Sequence, residues 1–86
     1  MNYSIRFSKE ADSDIDRLYH SDKKLFARIM NKIESLENHP KEGKPLLGNH
    51  AGEFSIRVGN YRIVYEPEHA RYVIHILTIK HRKHVY

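Results

Sequence analysis

The chain has no cysteine, which excludes disulfide stapling and thiolate-bound zinc. A reducing cytoplasm suits such a sequence. It also has no apolar run long enough for a signal peptide or a membrane span; the opening MNYSIRFSKE is largely polar. A cytoplasmic protein with no membrane partner is therefore expected. There is no glycine-rich phosphate loop, no nucleophile elbow and no thiol for covalent chemistry. Acidic residues run out early, because no Asp or Glu follows Glu68. That bears on the seven histidines. His81 and His84 are three apart and His75 lies upstream, but a catalytic zinc site normally draws on three fixed protein ligands. No metal and no other cofactor is expected.

What is present is a small, basic, moderately apolar chain. Its 86 residues make one domain, residues 1–86, and 40% of them are hydrophobic. A chain this short buries little surface, so modest stability or dependence on a partner is expected. The net charge is +4, with a pI near 9.4. Residues 53–86 hold six Lys and Arg against three Asp and Glu, whereas residues 1–52 are nearly balanced at nine against eight. The late excess points to an anionic partner docking there; an ordinary basic bias accounts for the same totals.

Tyr3, Ile5 and Phe7 alternate with Asn2, Ser4 and Arg6, the period of a half-buried strand. Ser8 reads as a helix N-cap, followed by Glu10, Asp12 and Asp14 near the positive end of the helix dipole. Ala11, Ile15, Leu18 and Tyr19 carry that helix to about His20. Ser21-Asp22 starts a second helix, with Leu25, Ile29, Ile33 and Leu36 as its apolar stripe and Pro40 beyond its end. The two form an αα-hairpin whose mixed-charge outer faces suit solvent or a partner. Residues 39–52 hold two prolines and three glycines and read as a loop, pinned to the core by Leu46-Leu47. Strand-like runs at 53–58 and 61–66 flank the two-residue turn Gly59-Asn60. Pro67–Ala70 reads as a second turn, with Glu66 and Glu68 solvated beside it. Residues 71–79 are apolar on both faces, as in a central strand. The expected fold is α+β: an N-terminal strand, an αα-hairpin and a three-stranded antiparallel meander, with the helices on one face of a four-stranded sheet.

A two-residue turn at Gly59-Asn60 sets Val58 opposite Tyr61, Ile56 opposite Ile63 and Arg57 opposite Arg62. Side chains alternate across a strand. One face then carries Phe54, Ile56, Val58, Tyr61, Ile63 and Tyr65, the core face. The other carries Ser55, Arg57, Arg62 and Val64. Two arginines directly opposed destabilise a hairpin unless something neutralises them. A phosphate fits forked guanidinium groups; Glu53, Glu66 or Glu68 could supply the countercharge instead. The chain ends Lys80-His81-Arg82-Lys83-His84-Val85-Tyr86. Cations there suit the charge of a phosphorane-like transition state, histidine or lysine can move protons, and tyrosine can stack on a base. A basic tail is otherwise often disordered.

Five segments resemble the RelE/ParE toxin superfamily: YSIRFSKEADSDIDRL, IESLENHP, KEGKPLLGN, the hairpin GEFSIRVGNYRIVYE, and the ending HRKHVY. Together they cover nearly the whole chain. RelE-like members are ribosome-dependent endoribonucleases and ParE-like members act on DNA gyrase, on one shared fold. The late Arg82 and Tyr86 resemble the RelE-like branch. The resemblance implies a toxin that cuts mRNA on the ribosome without a metal, with Arg57, Arg62, Arg82 and Tyr86 as catalytic residues. Arg62 would hold the phosphate, Arg57 would align the sugar and stabilise charge, Arg82 would face the leaving group, and Tyr86 would stack on a base or assist proton transfer. Ser55 departs from the pattern, standing where a second basic residue is common; it is expected among the RNA-binding groups with Lys80, His81, Lys83 and His84, and either those cations compensate or the activity is weaker. The resemblance also implies a cognate RelB-like antitoxin and a toxin–antitoxin hetero-oligomer. A gyrase poison and an inactive RNA-binding member remain the alternatives.

Overall fold

The computed structural model describes residues 2–84, the side chain of His84 excepted. The alternating N-terminal segment forms β1 (Ser4–Phe7), and helix α1 (Lys9–Ser21) follows at once. Ser8 joins them. Its Oγ accepts from the Ala11 N–H at 3.0 Å, capping the helix, and its hydroxyl donates to the Leu77 carbonyl at 2.7 Å. Helix α2 (Lys23–Ser35) begins after a single residue. Asp22 serves both helices: its N–H donates to the Leu18 carbonyl at 2.8 Å, and its Oδ1 accepts from the Leu25 N–H at 3.1 Å. Ala11, Ile15 and Leu18 of α1 and Ile29, Ile33 and Leu36 along α2 are buried, which is the helical periodicity read in the sequence.

Strands β3 (Phe54–Val58), β4 (Tyr61–Glu68) and β5 (Val73–His81) form the antiparallel meander. β1 lies parallel to β5 on its far side, in register from Ser4 opposite Val73 to Phe7 opposite Ile76. The strand order is β1-β5-β4-β3 and then a short strand at Lys44–Pro45. The sheet therefore has five strands where four are expected from sequence. The additional one, β2 (Lys44–Pro45), lies inside the segment read as loop and pairs with Phe54 and Ser55. Two residues carry no periodicity, so nothing local marks them as a strand. The helices cover one face, and Ile63, Tyr65, Ile74, Ile76 and Ile79 on that face are all but sealed from solvent.

Three further expectations are corrected. Leu47 does not pin the loop: it is 86% exposed, and only Leu46 is partly buried. The second turn falls two residues later than Pro67–Ala70, since β4 continues through Glu68 and the chain reverses over 69–72, with Tyr72 at φ 55°. Pro67 is tolerated because β3 begins at Phe54, opposite Tyr65, so β4 has no partner on that side beyond Tyr65 and is an edge strand there. Finally, Glu68 is not a solvated turn residue; it accepts a hydrogen bond from His75 Nε2–H at 2.8 Å. Leu77 falls at a register shift between β4 and β5, which explains why the run 71–79 does not alternate cleanly.

One close approach fixes the loop to the sheet. The Gly43 N–H donates to the buried Tyr65 hydroxyl at 2.9 Å. A Cβ at Gly43 would lie 2.8 Å from both that hydroxyl and the Ser55 carbonyl, so only glycine passes there. Burial pushes the Tyr65 phenol above its ordinary range.

Candidate functional site

The β3–β4 turn folds as expected, with Gly59 at φ 58° and Arg57 directly opposite Arg62. Arg57 is exposed and Arg62 partly so. Among the described residues neither makes an ion pair, and neither does Arg82. The carboxylates offered as countercharge point elsewhere. Glu53 stands 3.2 Å from His50. Glu68 is taken by His75 and stands 3.6 Å from Arg71, and the His75 hydrogen bond, with Arg71 beside it, holds its carboxyl below the usual range. Glu66, in register with His75, is exposed and makes no ion pair among the described residues. The ends of the sheet therefore differ: among the described residues the arginines at the β3–β4 turn have no ion pair, whereas Glu68, His75 and Arg71 at the other end are paired.

The tail folds back onto the cationic end. The Arg82 N–H donates to the Asn60 carbonyl at 2.7 Å, which ties the chain after β5 to the tip of the β3–β4 turn. A short 3-10 turn over Arg82–His84 follows. Arg82 and Lys83 are exposed. His81 is opposite Tyr61, ring edge to ring face with centroids 5.4 Å apart. Its Nδ1 accepts from the Lys83 N–H at 3.1 Å. The structure thus gathers Arg57, Arg62, His81, Arg82 and Lys83 around one turn. Tyr86 and the His84 side chain lie outside the described residues.

Lys80 is placed differently from its neighbours. It is in register with Arg62, yet its Nζ donates to Asp14 at 2.8 Å and stands 3.1 Å from Glu10. These contacts raise its pKa above the ordinary lysine range, the Asp14 hydrogen bond first. The cause is topological. β1 ends opposite Ile76, so the outer edge of β5 is unpaired beyond that point and α1 lies against it. Asp14, with its side chain only 2% exposed, accepts from the Ile79 N–H at 3.1 Å. The carboxylate takes the place of a missing strand, and Lys80 balances its charge.

Sequence reasoning missed one candidate. Ser55 is directly opposite Lys44 across β2 and β3. Paired residues share a face, so an exposed lysine stands beside the position that lacks a cation. It was illegible because β2 was read as loop.

Comparison with known proteins identifies the family and the fold. Residues 5–86 match the model of the family described as the ParE toxin of type II toxin–antitoxin systems, parDE. The chain belongs to that family. It is 33% identical over 87 residues to Toxin RelG of Mycobacterium tuberculosis (strain ATCC 25618 / H37Rv), covering all of this chain and 98% of that protein. Among solved structures, the RelBE2 toxin–antitoxin complex of M. tuberculosis has a chain 31% identical, with a TM-score of 0.83 over 95% of this chain and 100% of that one. The archaeal RelE–RelB complex of Pyrococcus horikoshii OT3 has one 25% identical, with a TM-score of 0.77 over 99% and 100%. This chain is thus a toxin of the RelE/ParE superfamily, and the fold is that of its relatives. Its relatives carry both RelE and ParE names, so membership leaves the target undecided. No helix among the described residues is long and apolar enough to cross a membrane.

Proposed function

We propose that this toxin is a ribosome-dependent endoribonuclease that cuts mRNA without a metal in the cytoplasm. The observation that carries the reading is the opposed pair Arg57 and Arg62, without an ion pair among the described residues, at a turn onto which Arg82 is folded. Like charges held this close lower stability unless an anion is bound between them. Guanidinium forks match phosphate oxygens.

The reaction needs only the RNA's own nucleophile. The 2′-oxygen attacks the adjacent phosphorus, the P–O5′ bond breaks, and a 2′,3′-cyclic phosphate and a 5′-hydroxyl result. One proton leaves the 2′-hydroxyl and one reaches the 5′-oxygen. Arg62 holds the phosphate, Arg57 aligns the sugar and stabilises charge, and Arg82 faces the leaving oxygen. Tyr86 stacks on a base or assists proton transfer. Arginine and tyrosine with ordinary pKa values are poor acid–base groups at neutral pH. Charge stabilisation and positioning therefore do most of the work, with the ribosome supplying substrate geometry. Ser55 adds no charge; Lys44, His81, Lys83 and His84 supply contacts to the RNA backbone around it. Lys80 reaches the RNA only by leaving Asp14 and Glu10.

The solved complexes named above pair such toxins with RelB-type antitoxins, which supports a RelB-like antitoxin and a toxin–antitoxin hetero-oligomer here. The family model's ParE description favours one rival, inhibition of DNA gyrase. Primer extension on a reporter mRNA in a reconstituted translation reaction separates them. Ribosome-dependent cuts that vanish in Arg62→Ala and in a Tyr86 deletion support the ribonuclease. Intact mRNA together with loss of supercoiling by gyrase supports the rival.

A further inference from the structure

On the helix side of the turn lies a groove that the opposed arginines do not explain. Two hollows of about 410 and 560 Å3 meet there, sharing Arg28 of α2 and Gly59 of the turn. The Arg28 guanidinium lies close over the turn: a Cβ at Gly59 would sit 3.8 Å from its Nη1. One hollow is bordered by Arg57, so the groove reaches one member of the arginine pair at the edge of the turn.

Its lining is strongly cationic. Lys24, Arg28, Lys32 and Arg57 face one carboxylate, Asp22. Lys32 is occupied, 3.0 Å from Glu42, and Asp22 is occupied as the cap of α2. Lys24 and Arg28 are exposed and make no ion pair among the described residues. Spaced four apart, they stand on one face of α2, about 6 Å apart along its axis. Leu25 in the lining is partly buried, and the large exposed apolar side chains Tyr19, Leu47 and Tyr72 are not part of it. A helical protein segment would need apolar anchors in such a groove; a phosphate backbone needs cations.

We propose that this groove carries the phosphate backbone of the substrate RNA next to the scissile step, with Arg28 as its positioning residue. The assignment of the strand rests on the ribonuclease reading. RNA held by Arg57 and Arg62 continues across Gly59, where no side chain obstructs it, onto Arg28 and then Lys24. Arg28 acts by fixing where the strand lies and does not touch the reacting atoms.

The test uses a short fluorescein-labelled single-stranded RNA carrying 2′-O-methyl groups, which lacks the nucleophile and stays intact. Its binding is followed by anisotropy over a salt series. For Arg28→Ala and Arg28→Gln the expected result is severalfold weaker binding and a salt slope smaller by about 0.7, one phosphate contact on a single strand. Arg28→Lys recovers most of the slope, and Lys9→Ala, an exposed lysine on α1, changes neither quantity. Thermal melts report that each variant is folded. Wild-type affinity and slope in Arg28→Ala overturn the proposal. So does a defect seen only in sedimentation with mRNA-free ribosomes, which assigns Arg28 to ribosomal RNA, or one seen only in antitoxin binding, which makes the groove a protein interface. If the wild type binds the probe in the expected way yet leaves mRNA intact on ribosomes, the ribonuclease reading fails and the groove stands as an RNA site.

Discussion

The two ends of the sheet treat charge in opposite ways. At one end Glu68, His75 and Arg71 close on one another, His50 closes on Glu53, and Tyr3 shares a hydrogen bond of 2.6 Å with His69. Each of these groups is answered from within the chain. At the other end Arg57 and Arg62 face each other and make no ion pair among the described residues. Evenly distributed acids would have paired both ends. Two like charges held opposite each other cost stability unless an anion lies between them.

The largest effect that would break this comparison is on activity. Arg62→Ala should lower ribosome-dependent mRNA cleavage about 100-fold, the usual scale for removing one donor to a charged transition state, measured by primer extension under single-turnover conditions. A matching loss in Arg71→Ala would show that charge at either end matters equally, and would sink the division.

Next in size is the carboxylate that holds β5. Asp14→Ala leaves the Ile79 N–H without its acceptor and Lys80 without its nearer partner. A loss of about 2 kcal/mol is expected, roughly a 10 °C fall in Tm for a domain this small, read by calorimetry. Gly43→Ala should cost about 1–3 kcal/mol, because the added methyl meets backbone at Ser55 and the buried Tyr65 hydroxyl; urea unfolding checks it.

The sharper contrast is one of sign. Arg57→Ala removes a like-charge pair and should raise stability by about 0.2–1 kcal/mol, while Arg71→Ala at the paired end should leave stability unchanged or slightly lower. Matched denaturant melts decide this, and a destabilised Arg57→Ala would mean the pair has a counterion within the fold.

The smallest effect is a pH dependence. Glu68 is held below the ordinary glutamate range by His75 first, with Arg71 assisting. Its contribution is therefore present above the unfolded pKa and lost as pH falls through the folded one. Glu68→Gln should flatten the acid limb of a Tm-against-pH curve. Lys80 has the opposite sign: its pKa is raised, so its contribution is lost only as pH climbs through the folded value at the alkaline end.

Much of the cationic end was legible in the sequence. A two-residue turn between alternating runs sets a register, and a register places Arg57 opposite Arg62 on the face away from Ile63. The capping of α1 by Ser8 and the start of α2 at Ser21-Asp22 were legible for the same reason, since each depends on residues within one helical turn. The end of β4 was misplaced because Pro67 reads as a breaker when its edge position is unknown. Leu47 was read as buried because an apolar side chain in a loop carries no mark of its direction.

The amino-acid sequence by itself determined the two helices and the four longer strands, the two helix starts, the hairpin register and the crowding of cations late in the chain, because all of these follow from neighbours a few residues apart. Only the tertiary structure decided that Lys80 is tied to Asp14 and Glu10, that Lys44 stands beside Ser55, that Arg82 returns to Asn60 and that Arg28 borders the same turn. These contacts join residues far apart in sequence. They exist because β1 inserts beside β5 and stops short, leaving an edge for α1, and because the sheet brings the turn under α2. No periodicity encodes such meetings; they follow from how the elements pack.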